Sequence, residues 1–177
     1  QYMWHNRGYG DFEDFLGDLT SRKRKAVRRE RREAMADGLE VEILTGTHIT
    51  ESHWDVFYRF YLNTIEDKFA YAYLTLAFFS QLGAAMAERV VLVMARQGGD
   101  YVAGALNLRG GDTLYGRYWG CDESWGCDTM HKFLHFELCY YRAIDFAIAH
   151  GLMRVEAGAQ GRHKISRGYL PHPTWSA

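Results

Sequence analysis

The sequence predicts an α/β protein of α+β layers, with a mixed, mostly antiparallel sheet flanked by helices. Three observations lead there. From residue 40 onward, strand-like and helix-like runs follow the order β, α, α, β, β, β, α, β. Three of the strand-like runs are separated only by short Gly/Asp turns, as antiparallel hairpins are. One long helical run near the C-terminal end is apolar almost all round, so it must be buried against something. The 177 residues suit one domain with a substantial core. At 47% hydrophobic and 24% charged, the composition excludes wholesale disorder and collagen-like structure. Aromatic residues reach 15%, enough to line a cleft as well as a core.

Each element follows from its local pattern. Residues 1–20, with Tyr2, Trp4, Tyr9, Phe12 and Phe15, read as a loop and then a short helix over Phe12–Leu19. A basic helix comes next, capped by Asp18, Thr20 or Ser21 and stopped by Gly38. Its thin apolar stripe is Ala26, Val27, Ala34 and Met35. Glu40–Leu44 alternates as a strand. Thr50 or Ser52 caps a long helix with Trp54, Phe57, Phe60, Tyr61 and Ile65 at helical spacing, and a second runs from Thr75 to Arg89. Val90–Arg96, Tyr101–Leu108 and Thr113–Gly120 are the three successive strands. A Gly/Asp/Ser loop covers 120–129. The apolar helix Met130–His150 ends at Gly151, the strand Met153–Gln160 follows, and a basic segment leads into an irregular tail. There is no internal repeat and no apolar run of membrane-spanning length. Two units result: an N-terminal segment with the basic helix (1–39) and the layered domain (40–177).

A net charge of −1 hides an asymmetry. Eight of the 21 basic residues lie between Arg22 and Arg32, while Glu30 and Glu33 are the only acids in the 22–33 window. The window therefore carries +6 and the rest of the chain −7. Arg24, Lys25, Arg28 and Arg29 form either a solvated helix face or a surface for phosphates, of RNA or of a nucleotide-linked substrate. No aromatic residue interrupts the run, so phosphate contact without base stacking is the most it supports. Three cysteines do not make a disulfide scaffold, and a reducing cytoplasm is expected.

The candidate chemistry gathers near the last strand. Strand alternation puts Glu156, Gly158 and Gln160 on one face, a poor surface for apolar packing. Arg162, His163, Lys164 and Arg167 follow at once. The set reads either as a cleft for an anionic or acyl substrate or as a salt-bridged strand exit. On Thr113–Gly120, alternation puts Tyr115, Arg117 and Trp119 together, opposite Leu114 and Tyr118. Glu137 in the apolar helix requires a partner such as Arg117 or Lys164, or else a raised pKa and work as a general base. His131 and His135 form an HxxxH pair without the glutamate or third ligand of a zinc site. Cys121 and Cys127 are spaced too widely for a zinc knuckle, so no metal is assigned. Cys139 reads as an inert buried thiol. GxSxG, P-loop and GxGxxG motifs are absent.

The order of elements resembles the GNAT, or acyl-CoA N-acyltransferase, fold. Particular motifs resemble the FemAB-like bacterial family. They are Leu134-His135-Phe136-Glu137, Cys139-Tyr140-Tyr141, Glu156-Ala157-Gly158-Ala159-Gln160-Gly161, His163-Lys164 and Arg167-Gly168. Near the start, Trp4-His5-Asn6-Arg7-Gly8-Tyr9, Lys23-Arg24-Lys25 and Arg29-Glu30-Arg31 do the same. Arg162 departs from the acid that the family pattern has there. The resemblance covers nearly the whole chain and implies the C-terminal GNAT-like half of a protein about twice as long. The missing N-terminal half is then a partner, and Gln1 at the start fits a piece of a longer protein.

The resemblance also implies a function: transfer of an acyl or aminoacyl group to an amine, in cell-wall peptide metabolism. A non-catalytic module recognising an anionic or peptidoglycan-type ligand is the alternative. Glu156 or His163 would take the amine proton, with Glu137 behind them. Arg117, Trp119, Gln160, Lys164 and Arg167 would hold substrate. GNAT enzymes bind the pyrophosphate of CoA on a Gly-rich turn before the central helix. Here that stretch reads Glu123-Ser124-Trp125-Gly126-Cys127-Asp128-Thr129-Met130, with one glycine and two acids. This disfavours acetyl-CoA as donor and leaves aminoacyl-tRNA, another acyl donor such as a different acyl-CoA, or no catalysis at all.

Overall fold

A computed structural model describes residues 1–66, 71–122 and 132–175. Strands β1 (Tyr2–His5), β2 (Glu40–Thr45), β3 (Val90–Gln97), β4 (Asp100–Gly110), β5 (Thr113–Cys121), β6 (Arg154–Glu156) and β7 (Leu170–Pro171) form one sheet. Their order is β2-β3-β4-β5-β6-β1-β7. Every pairing is antiparallel except β5 with β6, which is parallel. The hairpins β3–β4 and β4–β5 turn at the expected glycines, and Gly98, Gly99 and Gly111 take positive φ there.

Helices α3 (Glu51–Glu66) and α4 (Leu76–Met86) cover one face. Trp54, Phe57, Phe60 and Tyr61 of α3 are buried with Leu92, Met94 and Leu106 of the sheet. Each such ring contributes roughly 1.5–3 kcal/mol on burial. The helix can lie this close because Gly120 of β5 carries no side chain; a Cβ there would strike the Phe60 backbone carbonyl. Thr75 caps α4 by accepting from the Phe78 N–H at 3.3 Å.

The opposite face holds α1 (Phe12–Gly17), α2 (Ser21–Ala34) and the apolar C-terminal helix. That helix is not continuous. It comprises α5 (Leu134–Phe136), a π-helical turn over Glu137–Tyr141, and α6 (Arg142–Ala149). Phe133 precedes it in the left-handed region, with φ 69°. Val27, Tyr141, Ile144, Val155 and Trp4 share the core on this side. No helix of the described residues is long and apolar enough to cross a membrane.

Three expectations are corrected. Tyr2–His5 is a strand rather than a loop, lying between β6 and β7 through pairings such as Met3 with Glu156 and Tyr2 with Pro171. Those partners are more than 150 residues away, beyond the reach of any local pattern. The last strand is short: it ends at Glu156, so the shared face of Glu156, Gly158 and Gln160 does not form. Gly158, at φ 76°, turns the chain out of the sheet. Finally, β5 is not a uniform strand. Its register against β4 pairs Leu106 with Tyr118 and then Asn107 with Gly116, leaving Arg117 as the extra residue of a bulge. The bulge reverses the alternation. Tyr115 and Tyr118 share the α3 face, opposite Leu108 and Leu106, and Leu114 lies with Trp119 on the other.

Candidate active site

The parallel pair β5–β6 lasts three residues, from Thr113 opposite Arg154 to Tyr115 opposite Glu156. Past that point β5 bulges one way and 157–161 turns the other way. Between them opens a cleft of about 690 Å³. Gly116, Arg117, Tyr118 and Trp119 line one wall, Ala157–Gly161 with His163 and Lys164 the other, and His135, Cys139 and Tyr140 the floor. Gly116 matters here: a Cβ would stand 3.2 Å from the Glu156 carbonyl, at the point where the strands part.

Five of the expected site residues meet in this cleft: Arg117, Trp119, Gln160, His163 and Lys164. Arg117 is exposed on its bulge, 5.6 Å over the Tyr115 ring. Trp119 stands edge-on to His135 at 5.1 Å. The Lys164 ammonium is buried and donates to the carbonyls of Ala157 and Gln160. It thereby ties the outer wall together, with the Tyr2 and Tyr140 rings 5.5 and 5.8 Å away. Burial pulls its pKa below the ordinary lysine value.

His163 faces the cleft with its Nε2 3.2 Å from the Tyr140 hydroxyl. Burial, and then the charges of Arg167 and Lys164, hold its pKa below 6.5, so the ring is neutral at pH 7. Burial raises the Tyr140 pKa, so the phenol keeps its proton and donates to Nε2. Tyr140 is also fixed from behind, because its backbone carbonyl accepts from the Tyr169 hydroxyl at 3.1 Å. Sequence reasoning missed this pair, since nothing local sets the 23-residue separation of Tyr140 and His163. The hint in the sequence was two adjacent phenols, Tyr140 and Tyr141, in a mostly apolar helix.

Three expected residues sit elsewhere. Glu137 is fully buried, and its partners are neither Arg117 nor Lys164. Arg31 of α2 approaches it with Nη2 at 3.1 Å and Nε at 3.2 Å, and Arg142 with Nε at 2.8 Å. Arg31 also meets Asp145 at 2.6 Å. Arg167 is buried, and its guanidinium grips Glu30 of α2 at 2.8 and 3.0 Å. Glu156 is buried beside Met3 and Tyr115, outside the cleft lining, and its carboxylate has no hydrogen-bond partner among the described residues.

Of the basic helix, Arg28 pairs with Glu13 and Arg29 with Glu33 at 3.5 Å, both on the surface. Lys25 is exposed and Arg24 half-buried. Cys139 is a free thiol whose pKa burial pushes up. His131, Cys127 and the 123–130 turn lie outside the described residues. Among those described, no cluster of three or more His, Cys, Asp or Glu side chains offers a metal site.

A sheet whose two parallel strands pair and then part, with a bulge at the fork, has the GNAT acyltransferase architecture. The chain belongs to the FemAB-like family: the model of that family, described as peptidoglycan biosynthesis/recognition, matches residues 1–177. The structure is similar to FemX, with a TM-score of 0.66 and 13% identity over 91% of this chain and 53% of that one. It is also similar to L-PGS from Bacillus licheniformis, with a TM-score of 0.54 and 9% identity over 89% and 45%. An aminoglycoside acetyltransferase from an uncultured soil metagenomic sample gives a TM-score of 0.51 and 13% identity, over 81% of this chain and 99% of that one. The chain thus spans about half the length of FemX and of L-PGS. No curated protein sequence matches it.

Proposed function

We propose that this chain is the transfer half of a FemAB-like N-acyltransferase, moving an acyl or aminoacyl group onto an amine in cell-wall peptide metabolism. The observation that carries this reading is the fork between β5 and β6 with Arg117 bulged at its edge. A bulged residue leaves a backbone N–H without a ladder partner, and such a donor suits an oxyanion.

The donor carbonyl lies in the fork with its oxygen on the bulge N–H. The amine nitrogen attacks the carbonyl carbon, the C=O π pair moves to oxygen, and the ammonium proton must leave. Tyr140 accepts that proton on its oxygen while passing its own to His163 Nε2. Collapse re-forms the C=O and breaks the bond from carbon to the donor's oxygen or sulfur. His163 then returns its proton through Tyr140 to that leaving atom. Trp119 packs beside the acyl group, and Arg117 and Gln160 meet polar groups of the substrate. Glu156, buried outside the cleft lining, takes no part in this relay. Aminoacyl-tRNA is the favoured donor, its phosphates meeting Lys25, Arg24 and the surface arginines of α2.

The test offers the purified chain alanyl-tRNA or acetyl-CoA together with a lysine-containing cell-wall pentapeptide, and reads the peptide mass. An added alanyl or acetyl mass that disappears in His163→Gln supports the assignment. Saturable peptide binding without transfer from either donor assigns the cleft to recognition instead.

A further inference from the structure

The basic helix carries one buried acid among its eight cations, and that acid is bound to the turn that carries His163. Glu30 accepts from Arg167 Nε at 3.0 Å and Nη2 at 2.8 Å, and from the Tyr141 hydroxyl. The third arm of the same guanidinium, Nη1, donates to the His163 carbonyl at 2.8 Å. Its plane lies over the Phe136 ring, 3.6 Å from the centroid, and that ring packs 5.3 Å from the imidazole of His163. A single forked cation therefore touches the helix acid, the backbone of His163 and the ring against which His163 leans. Lysine could not make these contacts together, because its ammonium has no fixed fork.

We propose that Glu30 is a positioning residue of the cleft: through Arg167 it fixes the place of His163, and its carboxylate partly offsets the cations beside that ring. The inference rests on the reading of His163 as the proton acceptor. The geometry holds His163 from two sides, by its carbonyl and by its ring, and both holds end on Arg167. Arg167 in turn is oriented by Glu30. The charged groups facing His163 are Arg167 and Lys164, on its own 3₁₀ turn (Arg162–Arg167), and Glu30 from α2. Tyr140, from the π-turn, is the neutral titratable neighbour. Both cations disfavour imidazolium, with Arg167 the larger influence of the two, and Glu30 offsets them in part.

The signs follow. Glu30→Gln keeps the shape of the side chain and removes the offsetting charge, so the His163 midpoint falls below its native value. The double variant Glu30→Gln/Arg167→Gln removes the stronger opposing charge as well, so the midpoint rises above the native value. The double variant also guards against misfolding, because it leaves neither charge buried alone.

The test is a side-chain NMR titration of the eight histidines, with His163 assigned by its loss in His163→Gln. A midpoint that falls in the single variant and rises in the double supports the proposal. A midpoint unchanged in both, or moved the same way in both, overturns it, whatever happens to stability. The titration needs no substrate, so it separates this inference from the proposed reaction. If no donor is ever used, the reaction falls and the coupling stands. If transfer proceeds while the midpoints stay put, the coupling falls alone.

Discussion

Replacing Glu137 with alanine tests how the basic helix is held. The carboxylate has no exposure and meets Arg31 through two nitrogens and Arg142 through one. Breaking a buried ion pair by removing one partner costs about 3–5 kcal/mol, since a charge stays behind without an anion. Two details of the structure place the value at the lower end. Arg31 keeps Asp145 at 2.6 Å, and the Arg31 and Arg142 side chains are 22% and 25% exposed, so water reaches part of each charge. About 3 kcal/mol is the expected loss. For a chain of this size each kcal/mol lowers Tm by about 2–4 °C, so calorimetry should show a fall of about 6–12 °C. Glu137→Gln keeps the volume and one acceptor oxygen, and falls between. Arg29→Ala is the control. Its pair with Glu33 is exposed and 3.5 Å long, and its removal changes stability by no more than about 0.5 kcal/mol. A Glu137→Ala fall below about 2 °C, or an equal fall in Arg29→Ala, would refute the claim that burial decides which charges hold the fold.

Three further outcomes follow. Gly120→Ala places a methyl against the Phe60 carbonyl, backbone that cannot swing aside, so it loses at least about 1–3 kcal/mol by overpacking; Gly17→Ala has open space and stays neutral or gains slightly, and urea unfolding compares the two. His5 and His163 both have folded pKa values depressed by burial and by neighbouring cations, so the unfolded chain binds protons more readily below pH 6.5. Stability therefore drops as pH falls through that region, and Tm against pH should flatten in His5→Gln/His163→Gln. If α2 meets phosphates, Lys25→Gln weakens tRNA binding and reduces the slope of log K against log salt by about 1; an unchanged slope removes Lys25 from any nucleic-acid contact.

The legible parts of the fold were those set by neighbours in sequence. The Gly98-Gly99 and Gly110-Gly111 turns announced their hairpins, and Trp54, Phe57 and Phe60 at helical spacing announced α3. The strands at the far edge were not legible, because Tyr2–His5 and Leu170–Pro171 are strands only by virtue of each other and of β6. The site divides the same way. Arg117, Trp119, Gln160, His163 and Lys164 were all picked out from residue type and position, and the structure brings them into one cleft. Sequence did not show which cations would be drawn into buried pairs. That depends on Glu30 and Glu137, each more than 100 residues from its main partner.

The distribution of charge therefore has a different meaning from its count. Eight cations in one helix suggest a surface for anions, yet Arg31 faces inward onto Glu137 and Asp145. Four residue types at the end of β6 suggest a substrate clamp. Lys164 is instead bound to the carbonyls that shape the cleft wall, and Arg167 to the acid of α2. A buried cation already held by carbonyl or carboxylate oxygens cannot turn to a substrate anion without releasing the groups it holds. Among the described residues lining this cleft the exposed cation is Arg117, bulged at the fork, and an anionic group of a substrate would meet it before the buried Lys164. The buried pairs serve another end. Glu30 and Arg167 tie α2 to the turn that carries His163, and Arg31 and Glu137 tie it to the π-helical turn that carries Tyr140.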